Sequence, residues 1–247
     1  MTAVDAKDAV ACARCGGTGW VIEKRGAAEV ARRCRCSIER RKESLLADAG
    51  IPRRYADCTL DSFSVFDNSS LKAAKRISQK FIDAYPVVTK GILFIGKPGV
   101  GKTHLAVAIL KEIIRKTGDT GIFFDYRDLL KQVQDSYNPE SQSTEMQVLE
   151  PVLSCRVLVL DEIGARRVTA WMHDTIFYIL NQRYSNKMLT IITSNFPETK
   201  SDDDEETLED RIGFRLDSRI HEMCDFVEVE GADYRKTLLH KRYSDRG

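Results

Sequence analysis

Apolar positions are sparse through the first fifty residues and become regular after them. Five short runs rich in Ile, Leu, Val and Phe stand at residues 91–95, 121–125, 157–161, 189–194 and 225–230. The first four show little alternation of apolar with polar positions, the pattern of parallel strands covered on both faces. Helical stretches at 102–116, 126–136 and 170–186 separate them. Upstream, Leu71, Ala74, Ile77, Phe81 and Ile82 recur at helical spacing and predict a helix over 71–85. A further helix is predicted over 38–49, closed by Gly50. The linker 51–66 between them carries Tyr55, Leu60, Phe63 and Phe66, which are expected to lie against the domain that follows. Strands alternating with helices predict an α/β sandwich around a parallel sheet. No internal repeat is present, and the acidic run 202–206 reads as a solvated loop.

Composition changes this picture little. At 247 residues the chain accommodates one large domain with a small appendage, divided here into residues 1–50 and 51–247. A formal net charge of +1 excludes any global attraction to nucleic acid or membrane, so such contact must come from a local patch. The first ten residues have no apolar signal core, and no run is long enough to cross a bilayer. A cytoplasmic protein without membrane contact is expected.

The run Gly96-Lys97-Pro98-Gly99-Val100-Gly101-Lys102-Thr103 fits the phosphate-loop pattern GxxxxGK[ST] throughout, placed between a strand and a helix. Glycines let the backbone curl so that its N–H groups converge on phosphate oxygens. Lys102 would reach the β- and γ-phosphates, and the Thr103 hydroxyl would hold Mg²⁺. The helix beginning there points its positive dipole end at the same place. ATP and Mg²⁺ are therefore the expected cofactors.

A second apolar strand ends in Asp161-Glu162. Successive side chains diverge at a strand end, so the two acids can act separately. Asp161 would support Mg²⁺, and Glu162 would polarise the water that attacks the γ-phosphate; alone, the pair could equally be solvated acids in a turn. Asn195 follows the strand 189–194. It would orient that water if its strand lies between the other two, or serve turn chemistry ahead of Pro197. Arg219 is read as projecting toward a neighbouring subunit's nucleotide and Arg235 as touching the γ-phosphate of its own, against surface ion pairs for each. An ATPase hydrolysing ATP to ADP and phosphate is the expected enzyme.

Seven cysteines are distributed unevenly. Cys58, Cys155 and Cys224 sit among apolar residues and read as small buried hydrophobes. Cys12-x-x-Cys15 and Cys34-x-Cys36 form two close pairs of soft ligands suited to tetrahedral Zn²⁺, with a redox pair or inert thiols as the alternatives. The segment has too few apolar residues to fold unaided, and structural zinc supplies about 10–16 kcal/mol to such modules. Arg33 and Arg35 either neutralise the thiolate cluster or belong to a basic DNA-binding run.

Taken in order, Ile51-Pro52-Arg53-Arg54-Tyr55, the phosphate loop with His104-Leu105, Val157–Gly164, Thr193-Ser194-Asn195, Ser218-Arg219-Ile220 and Asp233-Tyr234-Arg235 resemble the AAA+ ATPases of the DnaC/IstB-like group, which includes replicative-helicase loaders and transposition helper ATPases. The resemblance covers about residues 51–235. It implies a P-loop three-layer sandwich whose five-stranded parallel sheet has the order 5-1-4-3-2, preceded here by the zinc-binding segment. It implies assembly into an oligomer, Arg219 acting in trans and Arg235 in cis, and single-stranded DNA on the oligomer's inner face. Arg127 and Lys131 occupy a helix that contacts DNA in such proteins, although a solvated helix face explains them equally. The zinc-bearing front end makes the chain look most like a loader whose front segment grips a hexameric replicative DNA helicase. A transposition or phage-replication helper, and a zinc-dependent DNA-binding adaptor using ATP as a switch, are the alternatives.

Overall fold

The computed structural model describes residues 12–26, 28–138, 140–141, 143–167, 169–200 and 205–236. The first eleven residues, and residues 202–204 of the acidic run, lie outside them. From that run Glu206 meets Arg167 and Arg211, so this part is an ion-paired anchor and not merely a solvated loop.

A hairpin opens the described chain: β1 (Trp20–Arg25) pairs antiparallel with β2 (Ala28–Arg33). Helix α1 (Arg35–Ala47) starts directly after Cys34, three residues earlier than its periodicity predicts. After a 3-10 turn at Arg53–Tyr55 come α2 (Ser69–Ala84), β3 (Gly91–Ile95), α3 (Lys102–Thr117), β4 (Gly121–Asp125) and α4 (Tyr126–Asp135). The chain continues through α5 (Glu145–Ser154), β5 (Val157–Ile163), α6 (Ala170–Ser185) and β6 (Leu189–Ser194). It ends in α7 (Leu208–Ile212), α8 (Phe214–Met223) and β7 (Cys224–Glu228).

The large sheet is wholly parallel in the order β4-β5-β6-β3-β7. Counting its five strands along the chain, this is the order 5-1-4-3-2. Alternate strand residues feed two separate cores. Ile92, Phe94, Val157, Val159 and Ile191 face α2 and α3. Leu93, Ile95, Leu158, Leu160 and Ile192 face the layer of α4, α5, α6 and α8. Both faces being covered explains the near-continuous apolar strands.

The front segment is continuous with this body. Leu45 and Leu46 of α1 pack on the first core, Ala49 is buried, and the Phe123 N–H donates to the Ala49 carbonyl at 2.8 Å, covering the β4 edge of the sheet. Tyr55, Leu60 and Phe63 lie against the core as predicted. Phe66 does not: it is half exposed, at a φ of 44°, with its ring 6.0 Å from that of Tyr234. Cys58, Cys155 and Cys224 are buried.

Candidate nucleotide site and cysteine centre

Between β3 and α3 the chain makes the phosphate loop. Two of its glycines are required by close approach as well as by conformation. At Gly96 (φ 154°) a Cβ would lie 2.1 Å from the Val229 carbonyl oxygen, and at Gly99 (φ 85°) 2.0 Å from Asp233 Oδ1. Lys102 curls back over the loop, its Nζ donating to the carbonyls of Gly96 (2.6 Å) and Lys97 (2.9 Å). Burial pushes its pKa down to about 8, against the opposing pull of Asp161 and Glu162.

Asp161 lies across from Thr103. Its Oδ1 accepts from the Thr103 hydroxyl at 2.9 Å and the Thr193 hydroxyl at 2.6 Å, and the Glu162 N–H donates to Thr193 Oγ1 at 2.9 Å. Burial raises the Asp161 pKa despite those two donors. The β5–β6 register shifts between Leu160 and Ile163, and Glu162 takes a φ of 60° there. This break in the strand turns the second acid away from the first. Since β6 does lie between β3 and β5, Asn195 at its end lines the same cleft as Lys102, Thr103 and Glu162.

Arg127 is exposed on α4, and its guanidinium is engaged by two acids. Its Nη2 donates to Glu162 Oε2 at 2.9 Å and to Asp125 Oδ2 at 3.1 Å, joining the first turn of α4 to the acid pair. Lys131 is exposed on the same helix.

The cleft above the loop has a volume of about 800 Å³. Its outer wall comes from the linker, including Tyr55, Phe63 and Phe66, from Asn68 at the start of α2, and from Tyr234. Phe63, Phe66 and Asn68 belong to no motif, and only their position in space assigns them to the wall. Buried Lys111 clamps the linker by donating to the carbonyls of Ala56 and Cys58 (2.9 Å to the latter). His104 Nε2 sits 2.7 Å from the Thr59 carbonyl, with its ring against Phe63.

Of the two arginines, Arg235 lines the cleft, its Nε donating to Asp233 Oδ1 at 3.1 Å. Arg219 lies on α8, outside the residues lining the cleft. Its Nη1 donates to Glu222 Oε2 at 2.6 Å, and its guanidinium lies 4.5 Å from the Tyr184 ring centre.

The four front cysteines converge, with all their sulfurs within 4.8 Å of one another. Cys12 Sγ is 3.9 Å from Cys34 Sγ, and Cys15 Sγ is 3.4 Å from Cys36 Sγ. A tetrahedral Zn²⁺ with bonds of about 2.3 Å separates its sulfurs by about 3.8 Å, so the donor set fits this ion. Close contacts cross between the two motifs, and all four sulfurs sit together, which favours a shared ion over a redox pair. Backbone donors near Gly19 bring the Cys15 pKa down to about 6, while Cys36, facing Cys15, is driven up to about 12. Of the basic run Arg32, Arg33, Arg35, Arg40, Arg41 and Lys42, it is Arg40 that approaches the centre, 3.8 Å from Cys36 Sγ, while Arg33 stacks on Trp20.

Comparison with known proteins identifies the family. The family model described as IstB-like ATP binding protein matches residues 19–242. The replicative helicase loader DnaC of Buchnera aphidicola subsp. Acyrthosiphon pisum is 30% identical over 156 residues, which are 62% of this chain and 61% of that protein. The chain thus spans about three fifths of that relative's length. The phage-like element PBSX protein XkdC of Bacillus subtilis is 25% identical over 238 residues, 90% of this chain and 84% of that one. A crystal structure of the DnaC helicase loader superposes with a TM-score of 0.64 at 34% identity, covering 72% of this chain and all of the other. Among the described residues no helix is long and apolar enough to cross a membrane.

Proposed function

Since this chain belongs to the IstB-like ATP-binding family, within the DnaC/IstB-like AAA+ group, we propose that it is an ATP-driven loader of a hexameric replicative DNA helicase onto single-stranded DNA. The observation that carries the reading is the convergence of Thr103 and Asp161 at 2.9 Å beside Lys102, with Glu162 turned into the same cleft. A buried lysine, a hydroxyl–carboxylate pair and a separate acid are what Mg²⁺-assisted phosphoryl transfer to water needs.

In this reading the loop amides and Lys102 would hold the triphosphate, and Thr103 and Asp161 would hold Mg²⁺, which would supply charge neutralisation on the phosphates. Glu162 orients and polarises the attacking water with help from Asn195. Arg235 meets the γ-phosphate of its own subunit, and Arg219 completes a neighbouring subunit's site, so that turnover requires an oligomer. Residues 51–247 act as the ATPase. Residues 1–50, held by Zn²⁺ on Cys12, Cys15, Cys34 and Cys36, carry the contact to the helicase. The similarity to DnaC in both sequence and structure supports the loader.

A phage-replication or transposition helper is the second reading, favoured by the alignment with XkdC along 90% of the chain. Glu162→Gln tests the whole scheme. The variant should bind ATP, lose turnover, and stay locked on the helicase without releasing it on DNA. Unchanged loading with abolished turnover would make nucleotide a structural switch; stimulation of a transposase, with no helicase retained, would replace the loader by the helper.

A further inference from the structure

The β1–β2 hairpin is largely exposed, and the face carrying Trp20 and Ile22 is its more open one. By its register Trp20 lies opposite Arg33, Ile22 opposite Ala31 and Lys24 opposite Glu29, all on one side. On the other side Val21 and Glu23 are half-buried, and Glu23 pairs with Arg32 at 3.1 Å. On the open side Trp20 is 51% and Ile22 68% exposed, and neither joins either hydrophobic core. The Arg33 guanidinium lies 5.5 Å from the centre of the Trp20 ring, leaving the rest of the ring to solvent.

Charge decides what such a face receives. Between residues 12 and 47 nine lysines and arginines stand against four glutamates, in a chain whose net charge is only +1. Even after the roughly two negative charges of a tetrathiolate zinc centre, this segment is a basic body attached to an acidic remainder. A half-exposed aromatic ring with a guanidinium over it, on a basic two-stranded platform, is a stacking site for a nucleobase with a cation for the adjoining phosphate. A duplex, with its bases already stacked, offers no free ring face.

We propose that the open face of the hairpin, through Trp20, Ile22, Lys24 and Arg33, binds single-stranded nucleic acid by base stacking. This site is separate from the nucleotide cleft, and it does not depend on ATP turnover. It gives the front segment a direct hold on the strand while other surfaces of that segment meet the helicase.

The chain has two tryptophans, so Trp171→Phe leaves Trp20 as the only one. Zinc-loaded, full-length Trp171→Phe protein is titrated with labelled oligothymidylate, reading tryptophan fluorescence and oligonucleotide anisotropy together. The site is supported by saturable quenching that tracks the anisotropy. Trp20→Ala should then weaken binding about five- to hundred-fold. Arg33→Ala should lower the slope of log affinity against log salt by about one. Anisotropy without quenching would put the DNA elsewhere on the chain and overturn the proposal, as would the absence of binding. Quenching by a hexameric helicase but not by the oligonucleotide would assign the face to a protein and overturn it equally.

Discussion

Arg127 ties the acid expected to activate water to the first turn of α4, and replacing it should speed hydrolysis. The Glu162 carboxylate must face the attacking water to act, and in this structure one of its oxygens accepts from Arg127 at 2.9 Å. Releasing it costs the worth of that ion pair. The two side chains are 54% and 35% exposed, so the pair belongs with surface bridges of about 0.2–1 kcal/mol. Asp125 also accepts from the same guanidinium and would retain Arg127 after Glu162 leaves, which keeps the cost at the lower end. A barrier lower by at most about 1 kcal/mol corresponds to a rate increase of up to about fivefold. Arg127→Ala leaves the helix cap intact, because Asp125 Oδ1 accepts from the backbone N–H of residue 127 at 2.8 Å. Single-turnover hydrolysis at saturating protein, at low and high ionic strength, is the assay. The variant should exceed wild type at low salt, and the gap should close as salt screens the pair. A tenfold fall in rate, in a variant that still binds ATP, would refute the reasoning and make the guanidinium a participant in catalysis.

Specific ATPase activity should rise steeply with protein concentration, and Arg219→Ala should remove that rise, since a trans arginine contributes about 10³–10⁵ in rate; equal activity per subunit at all concentrations would deny the trans role. Arg183 is fully buried and donates to the carbonyls of Val152, Cys155 and Leu189 and to the Thr190 hydroxyl. Arg183→Leu strands these acceptors and should cost about 3 kcal/mol in urea unfolding; a loss under about 1 kcal/mol would contradict it. His221 lies 3.0 Å from Glu198 and 3.2 Å from Asp217, with its ring on Phe226. Burial lowers its pKa, but these carboxylates outweigh burial and leave it raised. Its contribution to stability should therefore be full below about pH 6.5 and lost as pH rises through the folded value. Melting temperature followed against pH should show that loss in wild type and not in His221→Gln. Chelation, or Cys15→Ser, should release about one Zn²⁺ per chain and raise hydrogen exchange across residues 12–36, while the core still binds ATP.

The phosphate loop, the Asp161–Glu162 pair and the strands around them were legible because each is a local pattern. A glycine spacing or an unbroken apolar run has the same meaning wherever the rest of the chain goes. The hairpin was missed because no face of it is buried in a core, so burial never imposed the alternation that marks a strand. Helix α5 was missed for a different reason: Pro151 lies inside it, while its capping box, Thr144 with Gln147, lies in a polar stretch that reads as loop. Phe66 was expected against the core and instead stands at the cleft mouth, since the strand-to-helix order of the linker says nothing about which ring turns outward.

By itself the sequence determined where the glycine-rich loop falls and which stretches must be strands, because backbone conformation and solvent exclusion act over a few neighbouring positions. Only the tertiary structure decided the partners of charge. Arg127 faces Glu162 from 35 residues away, Arg40 and not Arg33 reaches a cysteine sulfur, and Lys111 holds the linker from another helix. Electrostatic and hydrogen-bond partners are chosen by distance in space, and that distance exists only after the sheet has brought remote segments side by side.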